Sequence, residues 1–211
     1  VADKEYIANT YVMRCFLISM IVYFIGFLLN ILNLFIVDKK IMLIGFIPSV
    51  FIYLTMLLIT KKVSLSSDKI KYFILFSIVS VFTLVGVSIT YHVVIIAVLP
   101  ILYAILYSSR KVMWYVYGLT VVSTIIIVYA GYYYGLCDAN MALLTTKKLD
   151  NYLLDGYFTM TAVNDNTLVT LMLYFVIPRC LIYIAFMAVC SNIFRIVKAG
   201  LEKAERVVKM E

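Results

Sequence analysis

Long apolar segments separated by short charged blocks are the feature that most restricts how this chain can fold. Hydrophobic residues make up 65% of the 211 residues and charged residues only 14%. This composition lies outside the range of a water-soluble domain. A helix of about 20 apolar residues is long enough to cross the hydrocarbon core of a bilayer. The sequence therefore predicts an integral membrane protein built from transmembrane helices.

Six apolar segments are predicted to be membrane spans, the fourth of them short. Tyrosine and tryptophan side chains flank the fifth segment at both ends, as expected where rings meet lipid headgroups. The predicted architecture is an all-α, six-helix transmembrane bundle. The spans are about Tyr11 to Val37, Ile41 to Thr60, Tyr72 to Thr90, Val93 to Ser108, Val112 to Tyr134 and Thr167 to Cys190.

The distribution of lysine and arginine predicts the orientation of these spans. With six spans both termini lie on one side, and that side holds thirteen basic residues against four on the other. Because cytoplasmic loops are the richer in basic residues, both termini are predicted to be cytoplasmic. The net charge of +7 is spread over short blocks, so it does not indicate nucleic-acid binding. The thirteen are Lys4, Arg14, Lys61, Lys62, Lys69, Lys71, Arg110, Lys111, Arg195, Lys198, Lys203, Arg206 and Lys209; the four are Lys39, Lys40, Lys147 and Lys148.

One long loop, residues 135–166, is predicted to be external and to form a small cap. Asp155-Gly156 lies between two β-prone runs, which is typical of a two-residue hairpin turn. An isolated hairpin is marginally stable in water, so it would have to rest on the bundle. A disordered loop is the alternative. Cys137 is the one cysteine in this loop, so no external disulfide within one chain is expected.

The last apolar segment continues without a turn signal into a charged amphipathic stretch. Apolar residues recur there at alternating spacings of three and four, which is typical of a coiled-coil seam. The stretch is predicted to be a cytoplasmic signalling helix that pairs two copies of the chain. A soluble tail with no such role is the alternative. Gly200 is a candidate hinge because glycine weakens a helix by about 1 kcal/mol relative to alanine. The seam residues are Phe194, Val197, Leu201, Ala204 and Val208.

Pro178 and Arg179 lie near the middle of the last span, where both residue types are costly. Proline removes a helix hydrogen bond and is predicted to kink the helix. A charge near the bilayer centre costs at least about 2.5–3.5 kcal/mol, so Arg179 needs an acceptor. No Asp or Glu occurs inside a predicted span. The candidates are a bound anionic or polar ligand, a carbonyl freed by Pro178, a tyrosine hydroxyl, or the side chains of Asn30 and Asn33; an arginine with a purely structural role is the alternative.

Four further polar residues near the predicted outer face complete a hypothetical ligand pocket with Arg179. Tyr91 and His92 lie at the turn after the third span, and Asp138 and Asn140 follow the fifth. A neutral imidazole both donates and accepts hydrogen bonds, although a lone histidine is more often an interfacial anchor. The spacing of histidine, cysteine and aspartate does not predict a metal site. No catalytic motif is present, and no cofactor is predicted.

Several runs of the chain resemble one family. These runs are Ile-Thr-Tyr-His-Val-Val from residue 89, Val-Leu-Pro-Ile-Leu-Tyr from 98, Tyr-Gly-Leu-Thr-Val-Val-Ser-Thr from 117, Tyr-Gly-Leu-Cys-Asp-Ala-Asn-Met from 134 and Phe-Val-Ile-Pro-Arg-Cys from 175. They resemble the N-terminal membrane region of GGDEF-type diguanylate cyclases from clostridia-like Gram-positive bacteria. The resemblance covers nearly the whole chain. It implies a six-span sensor region, a signalling helix and then a dimeric cyclase that condenses GTP into cyclic di-GMP, and the GGDEF motif itself is not in this sequence.

The sequence is therefore interpreted as a piece of a longer bacterial membrane sensor, without enzymatic activity of its own. Residues 1–194 are expected to form the sensor domain, and residues 195–211 the start of the signalling helix. The expected partners are a small-molecule ligand, membrane lipids and a second copy. A substrate-binding subunit of a membrane transporter and an inert membrane anchor are the alternatives. Ligand binding is assigned to Arg179, His92, Tyr91, Asp138 and Asn140, and signal transmission to Pro178, Gly200, Leu201, Ala204 and Val208.

Overall fold

The fold is all-helical in the part of the chain that the computed structural model describes, residues 2–35, 37–89, 96–133 and 166–208. Five helical segments there are long and apolar enough to cross a membrane, which confirms the predicted all-α membrane class. These segments are Lys4–Ile31, Lys39–Lys62, Ile70–Ser88, Arg110–Tyr133 and Thr167–Ile196.

The third helix lies at the centre of the bundle. It packs against the second helix on one side and the fifth on the other, and it is the most buried of the long helices. The last helix packs on the fourth and fifth. In chain order the elements are α1 (Ala2–Ile31), α2 (Lys39–Lys62), α3 (Ile70–Ser88), a 3-10 turn (Ile96–Val98), α4 (Leu99–Ile105), α5 (Arg110–Tyr133), α6 (Thr167–Leu171), a π-turn (Met172–Val176) and α7 (Ile177–Val208).

The first helix begins and ends earlier than the predicted span of about Tyr11 to Val37. It ends at Ile31, and a turn organised by the buried Asn30 follows. The Asn30 side-chain nitrogen donates to the carbonyl oxygens of Phe35 at 2.9 Å and Val37 at 2.7 Å. These bonds fold the chain back towards α2 within a few residues.

Asp38 caps the second helix, which begins at Lys39, two residues before the predicted span of about Ile41 to Thr60. Its Oδ1 accepts from the backbone N–H groups of Lys40 at 2.9 Å and Ile41 at 3.1 Å. Aspartate is among the preferred residues for this capping role. From this cap α2 continues through Pro48 to Lys62.

The structure describes residues 96–108 of the fourth predicted span, Val93 to Ser108, and the helix there ends at Ile105. Its described helical residues form the 3-10 turn and α4, with Pro100 in the first turn of α4. Proline is well accommodated there because the N–H groups of a first turn have no partner within the helix. About ten helical residues reach only about half of the hydrocarbon thickness. The described residues thus show five membrane-length helices and one short apolar helix.

Polar contacts fix the start of α1 to α3 and to two neighbouring connecting segments. The Lys71 ammonium lies 2.9 Å from the Glu5 carboxylate. The fully buried Asn9 donates to the Leu65 carbonyl at 2.6 Å and accepts from the Tyr107 hydroxyl at 2.8 Å. The N-terminal part of α1 is therefore held by the α2–α3 loop and by the turn after α4.

Candidate functional site

An irregular turn precedes Pro178 in the last membrane segment. The helix changes from α to π at Met172, and the Ile177 N–H donates to the Met172 carbonyl, as π-helical bonding requires. Helix α7 begins at Ile177, so Pro178 occupies its first turn. A π-turn therefore lies on the N-terminal side of Pro178, at which the sequence predicts a kink. Such turns are rare and occur frequently at functional sites.

The π-turn belongs to a small packing cluster on α5. Phe175 and Val176 pack with Leu171 and with Val128 of α5, and this cluster is separate from the main core. The Tyr129 hydroxyl also donates to a carbonyl of α6 at 2.9 Å. Helix α6 and the π-turn therefore pack on α5 through this cluster and the Tyr129 hydrogen bond.

Arg179 lies one turn after Phe175 and is partly buried. Its guanidinium carbon is 5.6 Å from the centre of the Phe175 ring, which is a cation–π geometry. Among residues 2–35, 37–89, 96–133 and 166–208 it makes no hydrogen bond or ion pair. The suggested partner Asn30 instead directs its amide nitrogen into the α1–α2 turn. In the described part of the chain the guanidinium therefore contacts the Phe175 ring, and it interacts electrostatically with the nearby Tyr183 hydroxyl.

Tyr183 anchors α7 in the bundle one turn beyond Arg179. It is 1% exposed, and its hydroxyl lies beside Thr124 of α5. Met187 and Cys190 on the next turns are also buried. In heptad register these three positions continue into the predicted seam that starts at Phe194. The helix face that packs inside the membrane is thus collinear with the face predicted to pair outside it.

The structure describes one of the five residues predicted to bind a ligand, Arg179. Tyr91, His92, Asp138 and Asn140 lie outside the described residues, as does the predicted hairpin at Asp155-Gly156. The pocket that would bring them to Arg179 stays a prediction. The residues assigned to signal transmission, Pro178, Gly200, Leu201, Ala204 and Val208, all lie within the single helix α7.

A deep apolar groove lies along α1, beside α3 and α4, and was not predicted. Its volume is about 610 Å³. Buried side chains of α2 and α3, among them Met42, Phe82 and Val85, form its floor, and Ile18 and Val22 of α1 are exposed at its edge. Arg179 does not line it. The groove and the arginine are therefore two separate features of the described structure.

A hydroxyl pair joins α1 to α4 at one end of the groove. Ser19, which lines the groove, has its Oγ 2.6 Å from the Tyr103 hydroxyl. Gly26, the single glycine of α1, lies further along the same wall. A glycine among bulky residues was the one sequence signal for open space at this position.

Comparison with known proteins identifies no relative: no protein-family model, curated protein or solved structure matches this chain.

Proposed function

We propose that this chain is the sensor region of a membrane receptor, and that its last helix carries the signal to a cytoplasmic output domain. The observation that supports this proposal is the single helix α7, which runs from the π-turn in the membrane segment to Val208 in the charged exit. A continuous helix fixes the rotation of one end relative to the other, at about 100° per residue. A change at the π-turn is therefore passed to the exit. An inert anchor needs no such continuity.

The proposed stimulus is a small anionic or polar molecule that binds at Arg179. The guanidinium has five N–H donors, and in the described part of the chain it contacts an aromatic ring but no acceptor. Its planar fork suits a carboxylate or phosphate. The proposed pocket adds Tyr91, His92, Asp138 and Asn140. A ligand shifts the helix only if it binds one arrangement better than the other.

The proposed output is a diguanylate cyclase domain, in keeping with the resemblance of the five runs quoted above. We propose six membrane crossings in a bacterial cytoplasmic membrane, with both termini in the cytoplasm. The excess of lysine and arginine on that side supports this orientation. The chain itself is proposed to bind and transmit, with the enzymatic step left to the output domain.

Pairing of two chains is proposed to occur along the exit helix. Within the membrane the seam face is occupied by the bundle, because Tyr183, Met187 and Cys190 are buried. Two copies of the chain can therefore pair along these heptad positions only in the part of α7 beyond Phe194. Cysteines introduced at Leu201 and Val208 should crosslink in membranes, whereas cysteines at Ala199 and Arg206 on the opposite heptad face should not. Equal crosslinking at both faces, or none at the seam, would contradict this interface.

Insertions after Gly200 test transmission through the helix. The chain is fused to a diguanylate cyclase domain, and the cyclic di-GMP level of growing cells is measured. Two added residues turn the output by about 200° and should change that level strongly, while seven return it to within about 20° and should preserve it. An unchanged level in the two-residue variant would show that the signal does not pass through a rigid helix.

A substrate-binding subunit of a membrane transporter is the second candidate function. The groove favours it, since a volume of about 610 Å³ is in the range of small-molecule sites. Two features count against it. Gly26 is the single glycine of helix α1, so this helix lacks a surface of small residues on which a partner helix could dock closely. A transport function also does not explain the charged exit helix.

A further inference from the structure

The groove is oriented along the membrane-spanning part of α1. Its wall runs from Ile18 through Gly26 to Leu29 in α1 and on to Leu34 and Phe35 in the following turn. At 1.5 Å per residue the part of this wall between Ile18 and Leu29 is about 17 Å long, more than half the thickness of the hydrocarbon core. The edge residue Ile18 is 60% exposed, and Leu34 is 74% exposed. In the described part of the chain the groove therefore opens sideways towards lipid.

The lining of the groove favours hydrocarbon over water. Among the described residues that line it, the polar side chains are Ser19 and Tyr23. The Ser19 hydroxyl is hydrogen-bonded to Tyr103, and the Tyr23 hydroxyl is buried against the hydroxyl groups of Ser49 and Ser88. An ordered water needs two to four polar partners, more than the described lining residues offer. Apolar atoms that face empty space lose their dispersion contacts, so a flexible chain of CH₂ groups is the best filler.

One end of the groove lies next to two exposed lysines. Phe35 and Met42 both line the groove, and Lys39 and Lys40 lie between them in the chain. The neighbouring Asp38 carboxylate accepts from the α2 N-terminus. Neither lysine forms an ion pair with the residues that the structure describes. A lipid phosphate at this level would meet two positive charges and be attracted to both.

We propose that the groove binds an acyl chain of an anionic phospholipid whose phosphate contacts Lys39 and Lys40. The methyl end of the acyl chain lies towards Ser19 and Tyr103, where α1 and α4 meet. The headgroup lies at the turn between α1 and α2. This site is separate from Arg179, and it does not rest on the proposed sensor function.

Two glycines provide a matched pair of variants. A Cβ built on Gly26 meets no atom within 4 Å, so a side chain at this position enters the groove without backbone strain. Gly118 of α5 has equally open surroundings and does not line the groove. Gly26→Phe therefore obstructs the groove, and Gly118→Phe makes the same change elsewhere on the surface.

The two ends of α2 provide the charge control, because the helix begins at Lys39-Lys40 and ends at Lys61-Lys62. The variant Lys39→Ala/Lys40→Ala removes the proposed phosphate contacts. The variant Lys61→Ala/Lys62→Ala removes the same charge from the far end. Both leave the apolar lining unchanged.

Lipid binding to the purified full chain in detergent is measured by native mass spectrometry with dioleoylphosphatidylglycerol and dioleoylphosphatidylcholine. The unaltered protein should bind dioleoylphosphatidylglycerol more tightly than dioleoylphosphatidylcholine. Gly26→Phe should weaken that binding about tenfold or more, and Lys39→Ala/Lys40→Ala should abolish the preference between the lipids. Gly118→Phe and Lys61→Ala/Lys62→Ala should bind as the unaltered chain does.

Unchanged binding in Gly26→Phe would overturn the groove as the site, as would equal loss in Gly26→Phe and Gly118→Phe. Equal binding of both lipids by the unaltered chain would overturn the anionic headgroup. Gel filtration and circular dichroism check that each variant is folded. If Gly26→Phe does not fold, Gly26→Leu is measured with Gly118→Leu as its control, under the same criteria.

Discussion

The Lys71 ammonium and the Glu5 carboxylate lie 2.9 Å apart, with side chains only 10% and 17% exposed. This pair joins the first turn of α3 to the first turns of α1. Asp68 approaches the same ammonium at 3.4 Å, but its side chain is 77% exposed. One cation therefore has a buried partner and a solvated one, and the two should contribute very differently to stability.

Lys71→Met should destabilise the bundle much more than Asp68→Asn. Removal of one member of a buried ion pair costs about 3–5 kcal/mol, because the other charge stays buried and uncompensated. An exposed pair contributes about 0–1 kcal/mol. Thermal unfolding in detergent, followed by circular dichroism, measures both.

The double variant Glu5→Gln/Lys71→Met is the control for this interpretation. It should recover much of the stability lost in Lys71→Met, since it leaves no unpaired charge at this position. Equal destabilisation by Lys71→Met and Asp68→Asn would show that the burial of Glu5 has no energetic consequence.

Asn30→Leu should destabilise the protein through the turn between α1 and α2. The substitution removes the hydrogen bonds to Phe35 and Val37, each with a net contribution of about 0.5–1.5 kcal/mol. Asn192→Leu is the matched control because Asn192 is exposed on α7. The same unfolding experiment compares them. A smaller effect at residue 30 than at residue 192 would contradict the role of Asn30.

The sequence was sufficient to predict the membrane class, because the length of an apolar segment is a local property. The helix ends were harder. Asn30 ends α1 by contacts to residues five and seven positions later, and Asp38 is compatible both with a loop after one span and with a cap before the next. The choice between these roles depends on the path of the backbone, which hydropathy does not specify.

The candidate site was only partly predictable. Proline and arginine are conspicuous in an apolar segment, so Pro178 and Arg179 were found from the sequence. The π-turn was not, because α- and π-helical turns differ by one residue in hydrogen-bond register and carry the same apolar side chains. The groove depends on the spacing of α1, α3 and α4, which the sequence does not specify. Gly26 is the one residue that indicated open space beside α1.

The six-crossing proposal places residues 1 and 211 on the same side of the membrane. Crossing by the five long helices alone would place them on opposite sides. Fusions of a reporter that is active only in the cytoplasm, made at each terminus, distinguish the two arrangements. Activity of both fusions is expected. Activity of only one would show that the segment containing α4 does not cross.

Arg179→Ala should abolish signalling in a fusion to a cyclase domain while leaving membrane insertion intact. Arg179→Lys should also impair it, because lysine keeps the charge but lacks the planar fork. Arg195→Ala is the control, since Arg195 is exposed further along α7. Cyclic di-GMP level and membrane fractionation are the two readouts. Normal signalling by Arg179→Ala or Arg179→Leu would contradict the ligand-binding role and favour an arginine with a purely structural role.

The proposal that this helix feeds an output domain is tested most directly by the reading frame of the parent gene beyond residue 211. We predict that the frame stays open and encodes a cytoplasmic signalling domain, with a Gly-Gly-Asp/Glu-Glu-Phe motif if the output is a diguanylate cyclase. A stop codon directly after Glu211 would contradict the proposal. In that case transport or anchoring would become the leading function, and the exit helix would be a docking segment for another protein.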